Sequence, residues 1–444
     1  MTSPTPFIIR IDKIVPGGYG LGRLPDGMVV LVRQVVPGEL VRIRPLARKK
    51  HHLFAELLEV LEASTDRIAP RCSAYGRCGG CDLQHMTPAA QLRLKCAALE
   101  ENLLRTNLPE ETIALLPPLA APDHFGYRQR IRLHADTSNR LGYHRFQSHE
   151  VEPISHCPLA RPEINKVLGC LQALPAHARL LQQSTTLELF FNPDRATVAL
   201  LLHFQRKPRP ADLAAAKEVA NSCPELDPIL FTVAGQGIFD RKGRQPAPGE
   251  HQLSFTLPAA VTGTTPLVLS WEVGGFCQVN LQQNENLLRT VLAWARVGAA
   301  DRVLDLYCGM GNFALPLSLH AGEVTGLDGQ GAAIRSAARN ALQAGRPNCR
   351  FTKVPVPAGL RQLLTAGRTF DLVLLDPPRQ GAAEIIPLLP GLGAKRLLMI
   401  SCDPATLARD LNGLRQQGFT IQALLPIDMF PSTHHLETLT LLER

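Results

Sequence analysis

The rhythm of hydrophobic and polar positions changes twice along the chain. Up to about Glu62, short runs alternate with period two over Phe7–Val15, Met28–Val32 and Leu40–Ile43. Glycine turns at Gly17-Gly18, Gly20, Gly22 and Asp26-Gly27 cut these runs. Strands this short, broken this often, predict a small β-barrel. Residues 63–265 read as a mixed α+β region. A helix is predicted over about Pro88–Leu108, where Leu92, Cys96, Leu99 and Leu103 recur at steps of three and four. A strand is predicted over Tyr127–His134, whose alternate positions put Arg128, Arg130, Arg132 and His134 on one face. From about Pro266 to Arg444, apolar strands (Arg302–Leu306, Glu323–Leu327, Phe370–Leu375, Arg396–Ser401) alternate with helical segments such as Gly331–Ala344. That alternation predicts a doubly wound, Rossmann-like α/β domain. Three domains follow, spanning 1–62, 63–265 and 266–444.

Composition narrows the class. A chain of 444 residues exceeds one ordinary core, and 45% hydrophobic with 19% charged residues is a globular balance. The longest apolar stretch, around Ala196–Leu202, is far short of the roughly 18 residues a membrane span needs. The first residues carry no basic-then-apolar export signal. A cytoplasmic monomer without a membrane partner is expected. The net charge of +8 is modest, but it is clustered. Arg42, Arg44, Arg48, Lys49, Lys50, His51 and His52 lie together on the barrel, and Arg140, His144 and Arg145 follow the arginine strand. Both clusters are expected to contact nucleic-acid phosphates.

Where the third domain begins, Val303-Leu-Asp-Leu-Tyr-Cys-Gly-Met-Gly-Asn312 is a buried strand running into a glycine turn, with a helix expected near Phe313. Gly309 and Gly311 let a ligand approach the backbone. Asp328 ends the next strand, 17 residues after Gly311, where an acid can accept hydrogen bonds from ribose hydroxyls. The order strand, glycine loop, helix, strand, acid points to an adenosine-containing cofactor, with a dinucleotide as one option because the spacing also fits G-x-G-x-x-A. Asp376-Pro-Pro-Arg379 stands at the carboxyl edge of the sheet, where such folds bind ligands, and favours S-adenosylmethionine over a nicotinamide.

Ser401-Cys402-Asp403-Pro404 follows the next strand. Carbon 5 of uracil is a poor nucleophile until a thiolate adds to carbon 6; a base must later remove the carbon-5 proton. Cys402, before a helix expected near Ala405, is placed for that addition and for a lowered pKa. Glu437, before the last apolar strand, is the candidate base. Eleven cysteines suit metal binding or catalysis better than a disulfide framework in a reducing compartment. Cys72-x5-Cys78-x2-Cys81 and, after a gap of 75 residues, Cys157-Pro158 supply four thiolates for an iron–sulfur cluster or zinc. Cys96, Cys170, Cys223, Cys277, Cys308 and Cys349 are expected to be core thiols.

Together these residues resemble the RNA 5-methyluridine methyltransferases, of the 23S ribosomal RNA type with a TRAM domain and an iron–sulfur cluster. The resemblance covers nearly the whole length. Ile11–Glu39 is similar to a TRAM barrel, and Cys72, Cys78, Cys81 and Cys157 match the ligands of a [4Fe-4S] cluster. In Phe276-Cys-Gln-Val-Asn280 it implies a cofactor- or substrate-site role for Gln278. It implies that Tyr307, Asn312, Asp328 and Asp376 bind S-adenosylmethionine or the uracil, that Cys402 is the nucleophile and Glu437 the base, and that the uridine is flipped out of its stack. The segment Phe351–Pro357 offers no Asp or Asn for the adenine, so none is assigned. Three other readings stay open: a transfer-RNA uridine methyltransferase, a nicotinamide oxidoreductase and a non-catalytic RNA-binding module.

Overall fold

The computed structural model describes residues 6–15, 17–106 and 114–444. Five strands, β1 (Phe7–Val15), β2 (Tyr19–Arg23), β3 (Val29–Arg33), β4 (Leu40–Arg48) and β5 (His52–Glu62), close into a barrel in the order β1-β2-β3-β5-β4. Alternate residues fill it: Ile9, Ile11, Val30, Val32, Val41 and Ile43 are almost wholly buried. The pattern along β5 is irregular because its pairing with β4 passes through three register shifts. The basic cluster is less free than expected. Arg42 reaches Glu59 at 3.2 Å and Arg44 reaches Glu56 at 2.5 Å, so cross-strand acids neutralise both. Lys49, Lys50 and His51 remain exposed at the hairpin tip.

Helix α1 (Pro88–Arg105) starts with Thr87, whose hydroxyl accepts from the Ala90 amide, and with proline in the first turn. Its buried residues are Ala90, Gln91, Lys95, Leu99 and Leu103, so polar side chains occupy part of the expected apolar face. The predicted end at Leu108 lies outside the described residues.

A seven-stranded central sheet is built from β6 (Arg130–Ala135), β7 (Leu141–His144), β8 (Val151–Pro153), β9 (Ser184–Asn192), β10 (Thr197–Phe204), β11 (Leu226–Val233) and β12 (Gly237–Asp240), in the order β12-β11-β10-β9-β6-β7-β8. Helices α2 (Pro162–Ala173), α3 (Pro175–Leu181) and α4 (Pro210–Ser222) share its core. The arginine stripe does not form one phosphate-facing surface. Arg128 turns inward beside the cysteine group, and Arg130 pairs with the buried Glu188 at 2.5 Å. Arg132 is exposed and, among the described residues, unpaired. Two of the expected core thiols, Cys170 on α2 and Cys223 after α4, form a disulfide, because helix packing brings their Cα atoms to 6.1 Å.

The hairpin β13 (Gln252–Leu257) and β14 (Leu267–Glu272), with the short helix α5 (Ala259–Thr262) between its strands, leads into α6 (Leu281–Ala295). The last sheet contains β15 (Arg302–Leu306), β16 (Glu323–Asp328), β17 (Cys349–Lys353), β18 (Leu372–Leu375), β19 (Arg396–Ser401), β20 (Thr420–Ile427) and β21 (Glu437–Glu443). Helices α7 (Ala314–Ser318), α8 (Gly331–Gln343), α9 (Val356–Thr365) and α10 (Pro404–Gln416) connect its strands. The order is β17-β16-β15-β18-β19-β21-β20, with the first five parallel and β21 antiparallel to both neighbours. A dinucleotide-binding sheet continues parallel at this edge; the reversed β21 departs from it. Among the described residues, no helix is long and apolar enough to cross a membrane.

Candidate active site

The glycine loop begins with a kink. Tyr307, directly after β15, has φ +64°, and both its amide and that of Cys308 donate to Leu327 O (2.9 and 3.1 Å). A non-glycine residue in that region is strained and needs such anchoring. At Gly311, φ is +88° and a Cβ would lie 2.2 Å from Leu315, so no other residue fits. Asp328 braces the loop: its Oδ2 accepts from the Gly309 amide at 3.0 Å and its Oδ1 from the Gln330 amide at 2.7 Å. Asn312 and Asn284 exchange reciprocal amide hydrogen bonds at 2.9 and 3.0 Å, which fixes the first turn of α6 against the loop. Gln278 sits half-buried just ahead of α6, on a segment held by the Gln129 amide donating to Val279 O. Asn284 was not singled out from sequence, although its i, i+4 relation to the helix cap Asn280 was a usable signal.

Asp305 was also missed. It is fully buried beside this loop, and the Ala314 amide, too poorly placed for a good hydrogen bond, is among the described residues the one polar group facing its carboxyl. Burial, with the charges of Asp376 and Asp328, pushes its carboxyl well above the usual range. An unmatched buried carboxyl is costly. The open backbone at Gly309 and Gly311, with Asp328 at the adjoining strand end, suits the adenosine portion of S-adenosylmethionine.

Chemistry-bearing groups converge on the carboxyl edge of the sheet. Ser401 on β19 pairs with Thr438 on antiparallel β21, so Cys402 and Glu437 are the next residues on facing strands. Asp376 is the first residue beyond β18, and its amide donates to Leu306 O at 3.3 Å. Asp403 caps α10 by accepting from the Thr406 amide at 2.8 Å. The expected lowering of the Cys402 pKa does not occur. Burial pushes the thiol up to about 11, with Glu437 and Asp376 adding to the rise and Arg379 opposing it. Burial, reinforced by two carboxyls that sequence separation hides, outweighs the helix terminus. Burial and Asp376 raise Glu437 to about 8, again opposed by Arg379, and burial raises Asp376 to about 7.

Cys72, Cys78, Cys81 and Cys157 are brought together around a cavity of about 40 Å³ that Arg128, Tyr143 and His156 also line. None of the four is in a disulfide. The Gly80 amide donates to Cys78 Sγ at 3.4 Å and Gln84 Nε2 to Cys81 Sγ at 3.2 Å. An all-sulfur donor set with N–H···S contacts fits a thiolate-bound metal group, either an iron–sulfur cluster or zinc.

Sheet order, glycine loop and edge thiol together describe an α/β methyltransferase. A family model described as tRNA (Uracil-5-)-methyltransferase matches residues 266–444. The chain is 34% identical to the 23S rRNA (uracil(1939)-C(5))-methyltransferase RlmD of Vibrio cholerae, over 98% of this chain and 94% of that one. It is 36% identical to the protein of the same description from Pseudomonas entomophila, over 98% and 93%. Its fold is similar to that of the Pyrococcus abyssi tRNA (uracil-54, C5)-methyltransferase in complex with S-adenosyl-L-homocysteine, with TM-score 0.73 and 21% identity over 98% of this chain and 99% of that one. The chain belongs to the RNA uracil-C5-methyltransferase family.

Proposed function

We propose that the chain methylates carbon 5 of a uridine in 23S ribosomal RNA, with S-adenosylmethionine as methyl donor. The observation that carries this reading is the pairing of β19 with β21, which sets a half-buried thiol beside a buried carboxyl at the carboxyl edge of a methyltransferase sheet. The full-length identity to 23S rRNA enzymes favours ribosomal RNA over transfer RNA.

In this reading Cys402 adds as thiolate to carbon 6 of the flipped uracil, making carbon 5 nucleophilic. The donor supplies an electrophilic methyl group. Glu437, a base once ionised, takes the carbon-5 proton, and the thiolate leaves as the ring regains its double bond. Tyr307, Gly309, Gly311, Asn312 and Asp328 shape the donor's pocket with Asp305, while Asp376 and Gln278 border donor and uracil. Cys72, Cys78, Cys81 and Cys157 would hold a [4Fe-4S] cluster, which ties residues 72–81 to Cys157 and braces the central region. Division into a TRAM-like barrel (1–62), a central iron–sulfur and RNA-binding domain (63–265) and a catalytic domain (266–444) belongs to the same reading. Exposed Arg132, Lys49 and Lys50 are its RNA-backbone contacts.

Transfer of labelled methyl groups to 23S rRNA and to transfer-RNA transcripts tests the assignment. Label should enter 23S rRNA at uridine C5, and Cys402→Ala should abolish it while RNA binding persists. Label only in transfer RNA would move the substrate, and full turnover by Cys402→Ala would remove the mechanism.

A further inference from the structure

The segment that delivers Glu437, residues 428–436, is held from outside its own sheet. The amides of Asp82 and Leu83 both donate to Ser432 O at 3.0 Å, and Gln91 Oε1 accepts from the Ser432 amide at 2.8 Å. Fully buried Lys95 donates to Asp428 Oδ1 at 2.6 Å and to Phe430 O at 3.0 Å. Tyr127 donates to Pro431 O at 3.0 Å. Ser432 itself has φ +67°. Its conformation is therefore imposed by the cysteine loop and α1, both far away in sequence.

Through this segment runs a file of polar side chains. His434 Nδ1 lies 2.6 Å from Asp82 Oδ2, and Asp82 directly follows Cys81. The rings of His434 and His435 are 4.2 Å apart between centroids. His435 Nε2 accepts from Arg379 Nη2 at 3.2 Å. Arg379 is a cation whose field acts on both Cys402 and Glu437. At its other end Asp82 faces Arg33 of the barrel at 3.8 Å.

We propose that Asp82, His434 and His435 form a positioning relay that holds the Arg379 guanidinium at the Cys402–Glu437 edge, so that the loop bearing Cys72, Cys78 and Cys81 sets the geometry of the active site. The relay rests on the reading of Cys402 and Glu437 as nucleophile and base. Arg379 is exposed at its surface, and a long unanchored arginine samples many rotamers. A single acceptor at Nη2 restricts it to the arrangement in which its charge opposes the two raised pKa values. His435 can accept only as a neutral ring protonated on Nδ1. Burial, with the charges of His434 and Arg379, pushes it down to about 4, which keeps it neutral.

The test is steady-state kinetics with an rRNA fragment on His435→Leu, His435→Gln and the double variant Asp82→Asn/His435→Leu. His435→Leu removes the acceptor, and kcat should fall about 10- to 100-fold, the cost of a small misplacement. Both KM values should stay within about twofold, since the lost interaction acts in the transition state. His435→Gln, whose amide oxygen can accept from Arg379, should recover most of the rate. The double variant should be no slower than His435→Leu alone, because both changes break one relay. Wild-type kcat in His435→Leu, equal loss in the Gln and Leu variants, or additive losses in the double variant would each overturn the proposal. Absence of a covalent complex between the wild-type chain and 5-fluorouridine RNA would instead count against the underlying mechanism.

Discussion

Cys402 and the group Cys72, Cys78, Cys81 and Cys157 are half-buried thiols in two regions of one chain, and burial raises Cys402 to about 11 and Cys81 to about 12. Their surroundings differ. Cys402 has two carboxyls and one arginine around it at the carboxyl edge of a mixed sheet. The four grouped cysteines line one cavity, and Cys78 and Cys81 receive N–H···S contacts. Burial therefore does not separate a nucleophile from a ligand. The neighbours do: a lone thiol beside a proton acceptor can add to a substrate and leave again, and a closed ring of thiols can hold a cluster.

The sharpest way to break this contrast is to exchange the losses. Cys402→Ala should lower methyl transfer by at least about 10⁴-fold, as removal of a nucleophile does, with iron content and melting temperature unchanged. Cys81→Ser should do the reverse first: iron per chain falls and the fold loses about 4 kcal/mol or more, in the range of a lost metal site. Calorimetry and iron analysis check both. If Cys402→Ala lost iron, the two regions would not be separable.

Glu437→Gln tests the other half of the edge. Turnover should fall about 10²- to 10⁴-fold, the usual share of a general base, and an RNA–protein adduct should accumulate on denaturing gels. The pH profile follows from the same group. With a pKa of about 8, Glu437 is mostly protonated at neutral pH and cannot accept a proton. Cys402, at about 11, is likewise mostly thiol. Both groups gain activity on deprotonation, so kcat should rise with pH through about 8 and show no acid optimum. Because the two are coupled, the inflection belongs to the pair. A flat profile between pH 6 and 9, roughly one unit or more on either side of the base, would contradict this assignment.

The smallest effect concerns RNA contacts. Arg132→Ala should weaken rRNA binding modestly and lower the slope of log affinity against log salt by about 1. Arg42→Ala should leave that slope nearly unchanged, because Glu59 already neutralises Arg42.

How much was legible in sequence follows from what each element depends on. β15 and β19 were found to the residue because parallel strands buried on both faces are near-continuous apolar runs with sharp polar ends. β5 was not found, since its register shifts erase the alternation. The arginines of residues 128–132 showed their spacing but not what faces them, and Glu188 lies 58 residues beyond Arg130. The Cys170–Cys223 bond depends on two helices packing across a separation of 53 residues. At the active edge, Cys402 and Glu437 were readable as candidates, because the proposed chemistry needs those residue types beside a strand end. The rise in the Cys402 pKa was not, because it is set by burial and then by Glu437 and Asp376, which only the fold brings near.

The most direct measurement is mass spectrometry of the chain after incubation with S-adenosylmethionine and rRNA carrying 5-fluorouridine at the target. The fluorine blocks removal of the carbon-5 substituent by Glu437. A denaturation-stable nucleotide adduct on the peptide containing Cys402, bearing the transferred methyl group, is the predicted result. An unmodified Cys402 peptide alongside normal methylation of ordinary rRNA would contradict covalent catalysis at this thiol.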